Sequence, residues 1–235
     1  GHPSGIRGAI ELPDGRLLSW GDTTLRLWDG NSGVCLATLE GHPSGIRGAI
    51  ELPDGRLLLW SREDTLRLWD LAGGTCVAVL QGHSDDVLGA VSLGDGRFLS
   101  WSFDKTLRVW DGASGACLAI LEGHSRSVHG AIALPDGRLL SWSDDKTLRL
   151  WDGASRKRSG AQERHQGQIS GMLATSGGML LSWSWDHTLR LWDGATGECL
   201  AVLAGHSSVV NGALELLDGR VLSWSRDHTL RVWDG

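Results

Sequence analysis

Apolar residues fall in short runs separated by small and polar breaks, and the same breaks return along the whole chain. Residues 82–122 show the pattern: Gly82-His83 precedes a run from Val87 to Leu93, Asp95-Gly96 ends it, and a second run covers Arg97 to Ser102. Phe103-Asp104-Lys105 separates this from Thr106 to Asp111, and Gly112-Ala113-Ser114-Gly115 leads into Ala116 to Leu121. Asp-Gly and Gly-rich breaks between short apolar runs predict strands joined by tight hairpins, because glycine supplies the positive φ that such turns demand. Leucine, valine and isoleucine occupy both faces of these strands, as expected for a sheet covered on both sides.

The pattern is a repeat. Trp-Asp recurs at Trp28, Trp69, Trp110, Trp151, Trp192 and Trp233, always 41 residues apart. A period near 40 bounded by Gly-His and Trp-Asp is the signature of four-stranded propeller blades. The expected fold is therefore an all-β propeller of antiparallel blades, one domain over 1–235. Its repeats are 1–40, 41–81, 82–122, 123–163, 164–204 and 205–235, the last lacking its fourth strand. Residues 1–20 and 41–60 differ only at Ser19 and Leu59, which marks recent duplication or design. Both ends, Gly1-His2 and Asp234-Gly235, fall on repeat landmarks, as expected of an excised or processed segment. With six copies of the first three strands and five fourth strands, three outcomes are expected: a ring with one three-stranded blade, association with another chain, or a fragment of a longer array.

On these motifs the chain resembles the WD-repeat β-propeller family over its whole length, and especially its recently amplified, highly repetitive bacterial or designed members. The resemblance implies a hydrogen-bonded tetrad in each blade, formed by the Gly-His histidine, a second-strand hydroxyl, the aspartate of the following turn and the Trp-Asp tryptophan. By similarity the sets are His2, Ser19, Asp22, Trp28; His83, Ser100, Asp104, Trp110; His124, Ser141, Asp145, Trp151; His165, Ser182, Asp186, Trp192; and His206, Ser223, Asp227, Trp233. The second repeat departs, with Leu59 for the serine and Glu63 for the aspartate, so His42 and Trp69 lose their linking hydroxyl and a looser blade is expected. The first repeat is one residue short at Gly21-Asp22-Thr23.

Serine, histidine and aspartate also suggest a hydrolytic triad. Five near-identical sets, each with a tryptophan donor, are instead expected to act as structural staples, so no catalytic residue and no enzyme is predicted. Trp20, Trp60, Trp101, Trp142, Trp183 and Trp224 each follow the tetrad-serine position; strand alternation puts their indoles on the other face, where they should fill the wedge between blades. Trp185 stands apart, in the turn before Asp186. The matching positions are Arg62, Phe103, Asp144 and Arg226, and the loops after Gly-His vary as well. Variation on a repeated background marks a recognition surface, with Asp85, Asp86, Phe103, Arg126, Asp144, Trp185 and Arg226 as the expected contacts. His187 and His228 fill turn positions held elsewhere by Lys105 and Lys146, which predicts polar turn residues and no metal. The basic stretch from Ser155 to Glu163 replaces an apolar fourth strand and reads as a charge-protected edge.

Apolar residues make up 41% of the 235, enough for a continuous core, and the net charge of -6 gives no basic field for nucleic acid or anionic lipid. No apolar run approaches the roughly 18 residues of a membrane span. Cys35, Cys76, Cys117 and Cys199 share one repeat position, out of disulfide reach of one another, and are expected to be buried free thiols, which suits the cytoplasm. The function expected is a non-catalytic scaffold that binds proteins or peptides through the upper rim and central opening, without cofactors, nucleic acid or membrane, and with possible self-association to complete the ring. The alternatives are a designed or reconstructed repeat protein with no natural partner, and a carbohydrate-binding propeller, which would carry identical tryptophan pockets in every blade.

Overall fold

The computed structural model describes residues 2, 5–21, 23–40, 44–152 and 165–234, and every regular element among them is a strand. The chain divides into two compact units, Gly1–Glu122 and Gly123–Gly235. In the first, three antiparallel meanders follow one another. Sheet 1 holds β1 (Gly8–Glu11), β2 (Leu17–Trp20), β3 (Leu25–Trp28) and β4 (Cys35–Leu39). Sheet 2 holds β5 (Ile46–Glu51), β6 (Leu57–Ser61), β7 (Leu66–Asp70) and β8 (Thr75–Leu80). Sheet 3 holds β9 (Val87–Ser92), β10 (Arg97–Ser102), β11 (Leu107–Asp111) and β12 (Cys117–Leu121).

The second unit repeats the plan. Sheet 4 comprises β13 (Val128–Ala133), β14 (Leu139–Ser143) and β15 (Leu148–Trp151); the segment that would follow, including the basic stretch 155–163, lies outside the described residues. Sheet 5 comprises β16 (Ile169–Ala174), β17 (Met179–Ser184), β18 (Thr188–Asp193) and β19 (Cys199–Ala204). Sheet 6 has three strands, β20 (Val210–Glu215), β21 (Val221–Ser225) and β22 (Leu230–Trp233).

Local chemistry sets each hairpin. In the first hairpin of sheet 4, Leu134-Pro135-Asp136-Gly137-Arg138, Gly137 sits at φ 83°, and its N–H reaches the Leu134 carbonyl at 2.9 Å while Leu134 N–H donates to Arg138. Asp136 Oδ1 accepts the Arg138 N–H at 3.0 Å. A β-carbon is strained at that φ, which explains glycine there.

The core lies between sheets. Sheet 1 presents Leu18, Trp20, Leu25 and Leu27 to Ile46, Ala49, Leu57, Leu59 and Trp69 of sheet 2, and sheet 2 presents Leu58, Leu66 and Leu68 to Val87, Ala90, Phe98 and Trp110 of sheet 3. In the second unit Leu140, Leu148 and Leu150 meet Ile169, Met172, Leu180 and Trp192, and Leu181 and Leu189 meet Val210, Ala213 and Val221. The second-strand tryptophans join these layers: Trp60 packs on the sheet 2–sheet 3 core, Trp142 on that of sheets 4 and 5, and Trp183 on that of sheets 5 and 6.

Each of these indoles also lies across a glycine of the neighbouring first strand. The register pairs Gly8 with Trp20, Gly48 with Trp60, Gly89 with Trp101, Gly130 with Trp142, Gly171 with Trp183 and Gly212 with Trp224. A Cβ on any of the six glycines would overlap the six-membered part of the indole. The glycine makes room and the tryptophan covers the gap, a cross-strand pair whose two members require each other.

The cysteines correct an expectation. None forms a disulfide among the described residues, but Cys35, Cys76 and Cys117 are exposed and Cys199 is half-buried. They sit near the start of the outermost strand, beyond which no further strand pairs among the described residues. There each thiol turns along its own strand, 3.5–3.6 Å from the carbonyl two residues on.

Replacing Gly130 by alanine is expected to destabilise the protein by about 1–3 kcal/mol through overpacking. In a Trp142→Ala background the same change should be neutral or stabilising, since alanine is favoured over glycine in a strand. Thermal or urea unfolding of the four proteins measures the coupling; equal costs in both backgrounds would refute the pairing.

Candidate functional site

At one end of each sheet, the loop before the first strand meets the turn between the second and third. Sheet 3 shows how they are joined. Trp110 Nε1–H donates to Ser100 Oγ at 2.8 Å, Ser100 Oγ lies 2.8 Å from His83 Nε2, and His83 Nδ1 lies 2.7 Å from Asp104 Oδ2. The carboxylate accepts further bonds from the N–H of Ser84 (3.1 Å) and from the N–H and hydroxyl of Thr106 (2.9 and 2.7 Å). With Asp104 ionised, His83 Nδ1–H donates to it; a neutral imidazole then accepts the Ser100 O–H at Nε2. The serine is fully buried.

Sheets 4, 5 and 6 repeat this arrangement around Asp145, Asp186 and Asp227, with histidine–aspartate distances of 2.7–2.9 Å and histidine–serine distances of 2.8–2.9 Å. The tryptophan N–H groups of Trp151, Trp192 and Trp233 reach Ser141, Ser182 and Ser223 at 2.8–2.9 Å. In sheet 1, Ser19 Oγ lies 2.7 Å from both His2 Nε2 and Trp28 Nε1, while Asp22 falls outside the described residues. Sheet 2 differs. Leu59 is fully buried in the leucine layer, Glu63 turns to Thr65 and Arg67, and the buried Trp69 Nε1 has no hydrogen-bond partner among the described residues. His42 lies outside those residues. Sheet 2 keeps its packing and loses a polar link.

Two members of this network were not singled out in the sequence. In sheets 3, 4 and 6 the serine after the second-strand tryptophan ties the turn to the loop: Ser102 Oγ donates to the Asp85 carbonyl at 2.9 Å and accepts the Asp104 N–H at 3.0 Å. Ser143 and Ser225 do the same for Arg126 and Ser208. The threonine two residues past each aspartate completes the carboxylate's set. Both are written in the sequence as Ser-Trp-Ser and Asp-x-Thr, repeated at 41 residues. The residue between aspartate and threonine takes a left-handed conformation, φ 67–73° at Lys105, Lys146, His187 and His228. That geometry turns the side chain out of the network. Among the described residues no three His, Cys, Asp or Glu side chains gather as a metal site.

Burial works to raise the pKa of Asp104, Asp145, Asp186 and Asp227, but hydrogen bonds from the paired histidine and threonine outweigh it and hold all four well below the usual carboxylate range.

The expected contact residues crown the same turns. In the first unit Asp86 bonds Arg47 at 2.7 Å, and the Arg47 guanidinium sits 5.7 Å above the Phe103 ring, so sheet 2 reaches over onto sheet 3; Asp85 is exposed beside them. In the second unit Asp144 pairs with His129 at 2.7 Å, and His129 also lies 3.3 Å from Gln168 of the next sheet. Trp185 is 49% exposed, and the Arg226 guanidinium lies 5.7 Å from its ring centroid. Arg126 is exposed three residues before His129, on the loop that leads into β13. Within each unit the residues therefore form local clusters that bridge adjacent sheets.

The low aspartate pKa fixes the sign of an acid response. Unfolded aspartates take up protons near pH 4, before the folded ones do, so the stability these carboxylates contribute is complete above that pH and is lost as pH falls below it. The melting temperature is expected to drop below about pH 4, and Asp145→Asn to cost about 1–3 kcal/mol at neutral pH with a shallower acid slope. Asp136→Asn, which weakens a partly exposed pair with Arg138 and leaves an amide oxygen to accept the Arg138 N–H, should cost less than about 1 kcal/mol. Calorimetry between pH 2 and 7 tests the ranking.

Comparison with known proteins agrees with this geometry. A family model described as "WD domain, G-beta repeat" matches residues 33–70, 74–111, 115–152 and 197–234, each match joining the outermost strand of one sheet to the first three strands of the next. Among solved structures, the computationally designed Ika8 protein superposes with a TM-score of 0.86 at 26% identity, covering 99% of this chain and 72% of that one. No curated protein matches. The sheets are thus propeller blades, and with four matched repeats spanning more than half of its residues, the chain belongs to the WD40 family.

Proposed function

We propose that the chain is a non-catalytic interaction scaffold that captures a protein or peptide on the loop-and-turn rim of its blades. The observation that carries this reading is the rim position before the tetrad aspartate. Phe103, Asp144, Trp185 and Arg226 stand there on otherwise near-identical turns, and Arg62 holds the matching place before Glu63. Of these, Trp185 and Arg226 offer an exposed aromatic face with a guanidinium beside it, the residue types that anchor interfaces. Membership in the WD40 family, whose propellers generally mediate protein interactions, supports the same reading. Catalysis by the tetrads is disfavoured because the serine of each complete set is buried and already accepts the tryptophan N–H. Among the described residues no helix is long and apolar enough to cross a membrane; the exposed free thiols favour a reducing, cytoplasmic setting.

A second reading is a repeat protein with no natural partner. The near-identity of residues 1–20 and 41–60 and the likeness to a designed propeller favour it.

Panning a displayed peptide library against the protein separates the two. The scaffold reading expects saturable peptides whose affinity falls at least about tenfold, or about 1.4 kcal/mol, in Trp185→Ala and Arg226→Ala without a change in melting temperature. A library that yields no saturable peptide, or peptides indifferent to both substitutions, would overturn it.

A further inference from the structure

Charge is sorted along the strands of the second unit. At the rim end Arg126, Lys146 and Arg226 are exposed, and among the described residues none of them pairs with a carboxylate. The acids at this end are already engaged: Asp144 is held by His129 at 2.7 Å, and Asp145, Asp186 and Asp227 by the tetrad histidines. Asp136 and Asp218 lie at the opposite end, in the turns between first and second strands, and Asp193 and Glu198 in the turn between β18 and β19. The rim of the first unit is mixed by comparison, with Asp64 and Asp85 exposed beside Arg62 and Lys105.

The cations of sheets 4 and 6 converge on sheet 5. Trp185, in the turn between β17 and β18, is 49% exposed, and Arg226 of sheet 6 brings its guanidinium to 5.7 Å from the ring centroid. From the sheet on the other side, Lys146 Nζ donates to the Gln166 carbonyl at 2.7 Å. The Trp185 N–H donates to the Gln168 carbonyl of that same loop at 2.8 Å, so Lys146 reaches the segment that holds the indole. An ammonium has three donors and a guanidinium five. Lys146 uses one on Gln166, and the Arg226 side chain makes only the ring contact among the described residues, so both keep donors for an anion.

We propose that the rim of sheets 4, 5 and 6 takes an acidic peptide segment, with an apolar side chain on the Trp185 ring and flanking carboxylates on Lys146 and Arg226. This inference rests on the rim reading above and adds to it the charge of the partner and Lys146 as a contact. A carboxylate-bearing segment complements cations that have no acid of their own, whereas a basic one meets like charge. Nucleic acid fits less well, since its backbone calls for a run of cations and Asp144 stands among these.

The test is to pan the full chain with a displayed peptide library that draws acidic, basic and neutral residues in equal share, and then to measure the enriched peptides by fluorescence anisotropy. The expected peptides are net negative, with Asp or Glu on both sides of an apolar residue. Lys146→Glu should weaken them at least about tenfold with no change in melting temperature, and added salt should weaken them too. Enriched peptides that are neutral or basic, yet weakened by Trp185→Ala, overturn this inference and leave the rim reading standing. Acidic peptides indifferent to Lys146→Glu overturn it as well, as does a mixed-sequence DNA single strand that binds as tightly as they do with the same dependence on Lys146. A library that yields no saturable peptide overturns both readings.

Discussion

A buried carboxylate that accepts hydrogen bonds from both sides of a gap organises the blades formed by sheets 3, 4, 5 and 6. Asp104 takes its donors from the loop that precedes the first strand, His83 and Ser84, and from the start of the third, Thr106. Those segments are otherwise separate, and the carboxylate is the group on which they converge. Because histidine then reaches through serine to tryptophan, the same chain of bonds extends from the rim to the middle of the sheet. The rim positions inherit their placement from it: Phe103, Asp144, Trp185 and Arg226 each precede a fixed aspartate, and each aspartate is followed by a left-handed residue. Chemistry can change at that one position while the backbone around it stays pinned.

Sheet 2 separates what the network does from what the core does. There the serine has become Leu59, and Trp69 keeps its place with its N–H unpartnered among the described residues. An unpaired buried donor costs about 1–3 kcal/mol, whereas fully burying a leucine contributes about 1.5–3 kcal/mol. The two effects are comparable in size, which accounts for the survival of the sheet. Polar networks of this kind fix geometry, and the apolar layers between sheets hold the stability. A blade can exchange one for the other, at the expense of how firmly its loop is tied to its turn.

Much of this was legible in the sequence because repetition removes ambiguity. An Asp-Gly break or a Trp-Asp pair seen once is weak; seen at a fixed interval it sets strand order, turn position and the members of the tetrad. What stayed hidden depended on register and solvent. Gly130 is an ordinary glycine until pairing sets it opposite Trp142, and the sequence spaces the two 12 residues apart with nothing to mark the contact. The cysteines read as buried because they open apolar strands, yet among the described residues the outermost strand has no paired neighbour on its far side, and Cys35, Cys76 and Cys117 stand in solvent. Ser102 and Thr106 were overlooked because a turn full of polar residues reads as solvated, when two of those side chains are bound to the loop or the carboxylate.

The same repetition that makes the fold legible limits where function can reside. Residues that serve the tetrad, the glycine–tryptophan pair or the leucine layers answer to a partner within the sheet or in the next one, so varying one alone leaves that partner unmatched, as Leu59 leaves Trp69. The turn residue before each aspartate escapes that coupling, because its side chain stands outside the tetrad, and it differs from repeat to repeat as Phe103, Asp144, Trp185 and Arg226. A backbone pinned by the carboxylate on one side and by the strand ladder on the other lets the chemistry of that one position change without loss of the turn.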